Sequence, residues 1–172
     1  MGEASKLELS EQFRTALRGI AATVCVVTST EGKREHGMTV TSVTSLSMDP
    51  PALLICINRD TYLHSILRQA DGFCVSVLAS GQEDVSGAFS GKLDSEERFR
   101  VGDWRRDGPL KMPYLADAQS NLFCRKNGAF PYGTHTILVG DILAVRAREA
   151  CAPLVYQNAG YSRLAAPQSD LT

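Results

Sequence analysis

The sequence predicts a mainly β protein, a split antiparallel β-barrel with short flanking α-helices. Six or seven short runs are rich in apolar and β-branched residues, whereas helical spacing is confined to three short segments. Strands and helices do not alternate regularly, which disfavours a doubly wound fold. The run 133–148 has about the length of a strand that curls around a barrel, and Gly140 can supply its bend.

Length and composition indicate one globular domain over residues 1–172, with a core at about 10–165. Of the 172 residues, 44% are apolar and 22% are charged, which excludes a disordered chain, a collagen and a coiled coil. A net charge of −1 argues against nucleic-acid binding. No apolar run reaches the ~18 residues that span a bilayer, and charged residues occupy the N-terminus. We therefore expect a cytoplasmic protein that binds neither nucleic acid nor membrane.

The five cysteines are odd in number and form no C-x-x-C pair. Cys25, Cys56 and Cys74 lie within apolar β-like runs, where a thiol usually serves as a small buried side chain. We expect reduced, structural cysteines without a redox role.

The first half of the chain predicts one helix followed by strands. Residues 5–19 combine a Ser5/Glu8 capping box with apolar positions at helical spacing, Leu9, Phe13, Leu17 and Ile20. Strands are predicted at 22–28, ended by a turn at 29–32, then at 38–47 and 52–58.

The second half predicts two short helices, further strands and one charged segment. Asp60 or Thr61 can cap a helix that Gly72 closes, a strand follows at 73–79, and a helix at 81–89. In 91–111, eleven of 21 residues are charged, which indicates a surface excursion. Asn127-Gly128 predicts the turn of a hairpin between 118–126 and 133–148. Strands at 154–157 and 161–164 complete the chain.

Several common catalytic motifs are missing. Gly87-x-x-x-Gly91-Lys92 is one residue short of a phosphate loop, and no G-x-G-x-x-G follows a strand. The histidines, His36, His64 and His135, are not spaced as metal ligands. No G-x-S-x-G elbow is present, although spacing alone leaves a Ser-His-Asp triad open.

The segment 39–47 carries six hydroxyl side chains in nine positions. One interpretation is a strand with a polar face. The other is a phosphate or polyol site, because hydroxyls and backbone N–H groups donate hydrogen bonds without adding charge.

The segment 37–51, GMTVTSVTSLSMDPP, resembles the flavin-binding stretch of the flavin reductase-like family, the small NAD(P)H:flavin oxidoreductases that serve two-component monooxygenases. Further segments resemble the family in the same order: 22–28, 53–58, 73–79 with Gln82, 133–137, and 153–156 with Gly160-Tyr161. The resemblance covers roughly residues 10–165. Thr134 departs from the family's common Asp, a variant similar to reductases of the 4-hydroxyphenylacetate 3-monooxygenase type.

The resemblance implies a Greek-key split barrel that binds FMN or FAD at a homodimer interface and takes electrons from NADH or NADPH for a separate monooxygenase. It implies that the ribityl chain and phosphate are held by Thr39, Thr41, Ser42 and Ser45, with Val40 as a further cofactor-binding residue. Behind the isoalloxazine would lie Cys56, Ile57, Asn58 and Arg59. Ser86, Gly87 and Phe89 would close over the flavin, with Lys92 and Arg98 as phosphate candidates or plain surface charges.

Three aromatic or imidazole side chains carry further expectations. The resemblance makes Tyr161 a cofactor contact and His135 the residue that guides the nicotinamide or stabilises charge near the flavin; otherwise His135 is a packed strand-end histidine. Trp104 either caps an adenine ring or packs at the surface. Phe13, Phe73, Phe123 and Phe130 are predicted in the core.

Two other functions stay open at this point. One is a flavin-binding electron carrier that does not turn over NAD(P)H, and the other is a β-barrel that binds a ligand other than flavin. The segments 39–51 and 133–137 favour flavin over other ligands.

Overall fold

The computed structural model describes residues 3–149 and 151–164, apart from the side chains of residues 3–5 and of Lys92. The helices are α1 (Glu3–Arg18), α2 (Tyr62–Gln69), α3 (Glu83–Gly87), continued by a π-helical turn (Ala88–Lys92), and α4 (Ser95–Arg98), and a 3-10 turn spans Pro109–Lys111. The strands are β1 (Ala22–Thr23), β2 (Cys25–Glu31), β3 (Arg34–Val40), β4 (Val43–Met48), β5 (Pro51–Asn58), β6 (Gly72–Val77), β7 (Trp104–Arg105), β8 (Tyr114–Leu115), β9 (Ser120–Tyr132), β10 (His135–Ala147), β11 (Val155–Gln157) and β12 (Gly160–Ser162).

Seven strands form one antiparallel sheet in the order β3-β2-β6-β9-β10-β5-β4. The two edge strands, β3 and β4, are consecutive in the chain and are joined only by Thr41 and Ser42. The sheet must therefore curl until its edges approach each other, which confirms the mainly β, antiparallel split barrel. The prediction of a single strand at 38–47 is wrong. Strand β3 ends at Val40 and β4 begins at Val43, because at Thr41–Ser42 the backbone passes from one edge of the sheet to the other.

A small sheet, β1-β11-β12, packs beside the barrel. Val24 separates β1 from β2 and joins the two sheets, since its N–H donates to Leu154 O (2.9 Å) and its carbonyl accepts from Leu78 N (2.9 Å). The turn expected at 29–32 is misplaced: β2 continues to Glu31 because it pairs with β3 as far as Arg34. The turn lies at Gly32, whose φ of +60° favours glycine.

The predicted long hairpin is present as β9 and β10, but its turn is not at Asn127-Gly128. Strand β9 runs on to Tyr132, and the turn is Gly133-Thr134. Gly128 pairs with Val139 while Lys126 pairs with Gly140, so Asn127 is the extra residue of a β-bulge. A Cβ on Gly140 would lie 2.5 Å from Cζ of Phe73, so bulge and glycine together let the curled strand cross that ring.

The core confirms two of the four predicted phenylalanines. Phe73 and Phe123 are fully buried, whereas Phe13 and Phe130 are 63% and 59% exposed, so these two expectations are wrong. Phe130 lies beyond Arg125, where β9 no longer pairs with β6 and has only β10 as a neighbour. In α1, Ser5 lies within the helix and does not cap it.

Thr61 is confirmed as the N-cap of α2, since its side chain accepts a hydrogen bond from His64 N. The helix expected at 81–89 is extended by the π-helical turn to Lys92. Within the described residues, no helix combines the length and the apolar character that crossing a bilayer requires.

Candidate active site

A cleft of about 400 Å³ opens where the barrel is split between β3 and β4. Its walls come from β3 and the two-residue link, from β5, from α3 and the turn after it, from the start of β10, and from β11–β12. The lining residues are Val24, Met38, Thr39, Val40, Thr41, Ser42, Cys56, Asn58, Thr61, Ser86, Ser90, His135, Tyr156 and Tyr161.

The link between the two edge strands is held against β5. Ser42 Oγ donates to the carbonyl of Cys56 (2.9 Å), and Cys56 N–H donates to the carbonyl of Ser42 (3.2 Å). Side chains alternate along β5, so Cys56 and Asn58 face the cleft while Ile57 is fully buried in the core. The wall is therefore rigid backbone with small polar side chains.

Ser86 joins the opposite wall to the rest of the cleft. Its carbonyl accepts from Thr39 Oγ1 (2.8 Å), and its hydroxyl accepts from the phenol of Tyr161 (2.9 Å). The side chain of Ser86 is buried, and Tyr161 packs edge-to-face on Tyr156 with ring centroids 5.5 Å apart. These contacts fix α3 against both β3 and the small sheet.

His135 lies at the rim, at the first position of β10. Its Nδ1 is 2.8 Å from Thr134 Oγ1. Arg59 holds the turn that carries both residues: its guanidinium donates to Gly133 O and its backbone N–H to Thr134 O (2.9 Å). Thr134 thus places a hydrogen-bonding group on the imidazole without a negative charge.

The structure brings together nine of the residues predicted for the site. They are Thr39, Val40, Thr41, Ser42, Cys56, Asn58, Ser86, His135 and Tyr161. Their places in one cleft follow from the link at Thr41–Ser42 and from the pairing of β10 with β5, in which His135 stands opposite Asn58.

Other predicted residues lie elsewhere. The side chains of Ile57 and Phe89 are fully buried in the core, so neither reaches the cleft. Ser45 lies past the link on β4 and lines a separate depression with Val43 and Leu53.

Among the remaining candidates, Gly87 ends α3 next to Ser86 and does not line the cleft. Arg59 positions the Gly133–Thr134 turn and does not line the cleft either. The side chain of Lys92 lies outside the described residues. Trp104 is buried between Phe89 and Phe99, at 4.7 and 5.2 Å between ring centroids, which excludes the adenine-capping role and leaves the packing role.

Arg98 is held by protein groups. Its Nε donates to Leu93 O (2.7 Å) and its Nη1 to Gly37 O (3.0 Å), and Nη1 also lies 2.9 Å from His36 Nε2. The second ring nitrogen of His36, Nδ1, is 2.6 Å from Ser95 Oγ. Arg98 and His36 therefore fasten α4 to β3, next to the strand that supplies Thr39.

Sequence reasoning missed five lining residues: Val24, Met38, Thr61, Ser90 and Tyr156. Tyr156 stands directly opposite Tyr161 in the β11–β12 pairing. A prediction that these two segments form a hairpin would therefore have placed Tyr156 beside Tyr161 at the cleft. Ser90 lies four residues after Ser86, one helical turn away. No comparable sequence signal pointed to Val24 or Met38.

The thiols divide into buried and accessible groups. Burial raises the pKa of Cys25 and of Cys124 to about 12 and also raises the pKa of Cys74, so these three thiols stay protonated at neutral pH. Cys56 is half-buried at the cleft and Cys151 is exposed, so the expectation that Cys56 is buried like Cys25 is wrong. Across the described residues, no cluster of His, Cys, Asp or Glu could hold a metal ion.

Comparison with known proteins decides the family. The sequence model of one protein family, the flavin reductase like domain, matches residues 17–165. The chain belongs to the flavin reductase-like family. It is 46% identical, over 89% of the chain and 86% of the relative, to the reductase component of an FADH(2)-dependent resorcinol hydroxylase from a Rhizobium species.

Two further members of the family are similar over nearly the whole chain. An FMN reductase (NADH), RutF of Stutzerimonas stutzeri, is 35% identical over 91% of the chain and 89% of its own length. The NADH:FAD oxidoreductase SgcE6 of Streptomyces globisporus, solved with NAD and FAD fragments, superimposes with a TM-score of 0.86 at 30% identity. That match covers 94% of the chain and 95% of SgcE6.

The cleft of this flavin reductase-like protein fits a flavin. The hydroxyl of Thr41 can donate to a ribityl or phosphate oxygen, whereas the hydroxyls of Thr39 and Ser42, which donate to Ser86 O and Cys56 O, can accept from ribityl hydroxyls. Met38, Val40 and Val24 supply apolar surface for a ring system. A flat aromatic ring with polar edges and a polyol tail matches such a wall.

We predict that His36 makes the protein acid-sensitive. Burial, and secondarily the charge of Arg98, lower the pKa of His36 from its ordinary 6.5 to about 4. Between these values the unfolded chain binds a proton that the folded chain does not. The contribution of His36 to the free energy of unfolding is therefore fully present above pH 6.5 and is lost as the pH falls toward 4.

Urea unfolding at pH 7 and pH 5 measures this effect. We expect the wild type to lose about 1–2 kcal/mol more between these pH values than His36→Gln, which has no titrating group. An equal loss in both proteins would contradict the prediction.

Proposed function

We propose that the protein is an NAD(P)H:flavin oxidoreductase that reduces FMN or FAD and supplies the reduced flavin to a separate monooxygenase. The observation that carries the proposal is the cleft at the Thr41–Ser42 link, in a member of a family whose relatives are named as flavin reductases and as reductase components. Residues 1–172 act as one domain in this proposal.

The bound flavin supplies a ring that accepts a hydride from the nicotinamide C4. The protein's task is to hold both rings in register. Thr41 donates to a ribityl or phosphate oxygen, and Thr39 and Ser42 accept from ribityl hydroxyls, because their own protons are held by Ser86 O and Cys56 O. Cys56 and Asn58 form the wall behind the ring. Such positioning can contribute on the order of 7–11 kcal/mol in favourable cases.

His135 orients the nicotinamide and stabilises negative charge at the flavin. Because its Nδ1 bonds to Thr134, its Nε2 is the ring nitrogen left to a ligand among the described contacts. Arg59 acts through the Gly133–Thr134 turn and is a positioning residue.

Reduced flavin has to leave for the oxygenase, so the protein should bind it reversibly. None of the fourteen lining residues is Lys, Arg, Asp or Glu, which favours binding by neutral hydrogen bonds and stacking. Free thiols and an NAD(P)H substrate fit a cytoplasmic setting.

We also propose a homodimer. Large apolar side chains are exposed on β4, β9 and β10: Leu46, Met48, Phe130, Tyr132, Leu143 and Val145. Beside them, β4, β5, β9 and β10 line a shallow depression that is mostly apolar. Monomers rarely leave such patches in water. Light scattering should give twice 18.6 kDa at micromolar concentration, and a mass of 18.6 kDa would contradict the dimer.

Flavin-dependent NADH oxidation tests the function directly. The purified protein should bind FMN or FAD and consume NADH or NADPH only when flavin is present. Flavin binding without turnover would favour the electron-carrier alternative. No flavin binding at all would leave a barrel that binds another ligand.

His135→Ala should lower turnover about 10–100-fold while changing flavin affinity less, because one oriented contact is lost and the cofactor chemistry remains. Steady-state kinetics and a melting curve separate the two roles of His135. Unchanged turnover with a lower melting temperature would return His135 to a structural role.

A further inference from the structure

A second depression adjoins the flavin cleft. It has a volume of about 330 Å³ and lies between the C-terminal end of α1 and the β11–β12 turn. Its lining residues are Arg14, Leu17, Arg18, Ile20, Ala22, Thr41, Tyr156, Gln157, Asn158 and Ala159. Thr41 and Tyr156 line both spaces, so the depression is the immediate neighbour of the cleft.

We propose that this depression is a subsite for the adenylate half of a dinucleotide, the chemistry that FAD and NAD(P)H share. The inference rests on the proposed function, because it extends the ligand of the same cleft. FMN, which lacks the adenylate, would leave the depression empty.

The charges of the depression favour a phosphate. Arg14 and Arg18 stand one helical turn apart and are exposed, and neither forms an ion pair with a carboxylate of the described residues. Guanidinium groups bind phosphate oxygens through paired, charge-assisted hydrogen bonds. The neighbouring cleft has no Lys, Arg, Asp or Glu among its lining residues, whereas the depression has two arginines and no carboxylate among its own.

The remaining lining suits a nucleoside. Tyr156, 37% exposed, presents an aromatic ring at the boundary between the two spaces, and Leu17 and Ile20 add apolar surface on which a purine can lie. Gln157 and Asn158 add side-chain amides to the lining, of which the Gln157 Nε2 donates to Gly19 O.

The depression is fixed in shape by contacts between its two walls. Asn158 N–H donates to Arg18 O (2.8 Å), and Gln157 Nε2 donates to Gly19 O (2.9 Å). Helix α1 is thereby tied to the β11–β12 turn at the end where the arginines lie, and the subsite does not need to be assembled when the ligand binds.

The test compares FAD with FMN on Arg14→Gln, Arg18→Gln and the double variant. Equilibrium dialysis without nicotinamide measures flavin affinity independently of turnover. We expect the double variant to bind FAD about tenfold or more weakly, and FMN less than twofold more weakly, because only FAD carries the adenylate. Lys6→Gln, which removes a charge from the same helix away from the depression, is the matched control and should leave both affinities unchanged.

A second arm identifies the source of the adenylate. With FMN as acceptor, the KM for NADH should rise about tenfold in the double variant if the depression holds the nicotinamide dinucleotide, and ADP alone should compete in the wild type. A selective loss for FAD, for NADH or for both supports the subsite. Equal loss of FAD and FMN, or no loss for either FAD or NADH, overturns it. A protein that binds flavin without oxidising NADH would refute the proposed function while the dialysis arm still decides the subsite.

Discussion

The two-residue connection between the edge strands is the constraint on which the rest of the structure depends. Seven strands about 4.8 Å apart would place β3 and β4 some 29 Å from each other in a flat sheet. From Val40 to Val43 the chain can span only about 11 Å. The sheet must therefore roll up, and the long strands β9 and β10 provide the curvature through their bulge at Asn127 and through Gly140. Strands β3 and β4 are not hydrogen-bonded to each other, so the barrel is split between these two edges.

The split explains why the cleft is where it is. At Thr41–Ser42 the backbone leaves one edge before it joins the other, and its polar groups are available to bond with β5 or with a ligand. Ser42 bonds to Cys56 in both directions, which stiffens the wall. The opposite wall is held by Ser86, on which Thr39 and Tyr161 converge. Contacts from β3, α3 and β12 thus meet at one residue, and the cleft is shaped largely before any ligand arrives.

The fold class was predicted from local pattern, the β-branched runs without regular helix alternation. The nine cleft residues were predicted from the resemblance to the flavin reductase-like family, whose motifs are themselves short local segments such as the hydroxyl-rich stretch and the Gly-Thr-His turn. What sequence reasoning misplaced depends on pairing between distant segments. Asn127-Gly128 has the composition of a turn, yet in the sheet it is a bulge opposite Gly140. In a β-strand, successive side chains point to opposite faces. Applied to residues 53–58, this rule alone predicts that Ile57 faces away from the side that Cys56 and Asn58 share. Ser45 belongs to the same hydroxyl-rich segment as Ser42, but it lies beyond the Thr41–Ser42 link on the other edge strand, β4, and lines a different depression.

The distribution of charge links the architecture to the exchange of a flavin. Within the described residues the cleft is lined by hydroxyls, a thiol, an amide, an imidazole and apolar groups, and the cations lie outside it, with Arg98 committed to Gly37 and His36. A cation against the ring would stabilise the reduced, negatively charged flavin and slow its release. Neutral hydrogen-bonding groups such as the hydroxyls of Thr39 and Thr41 contribute only about 0.5–1.5 kcal/mol each, so several of them can orient a flavin without trapping it. Arg14 and Arg18 line the neighbouring depression, where they can add affinity through a phosphate without placing a guanidinium against the reacting ring.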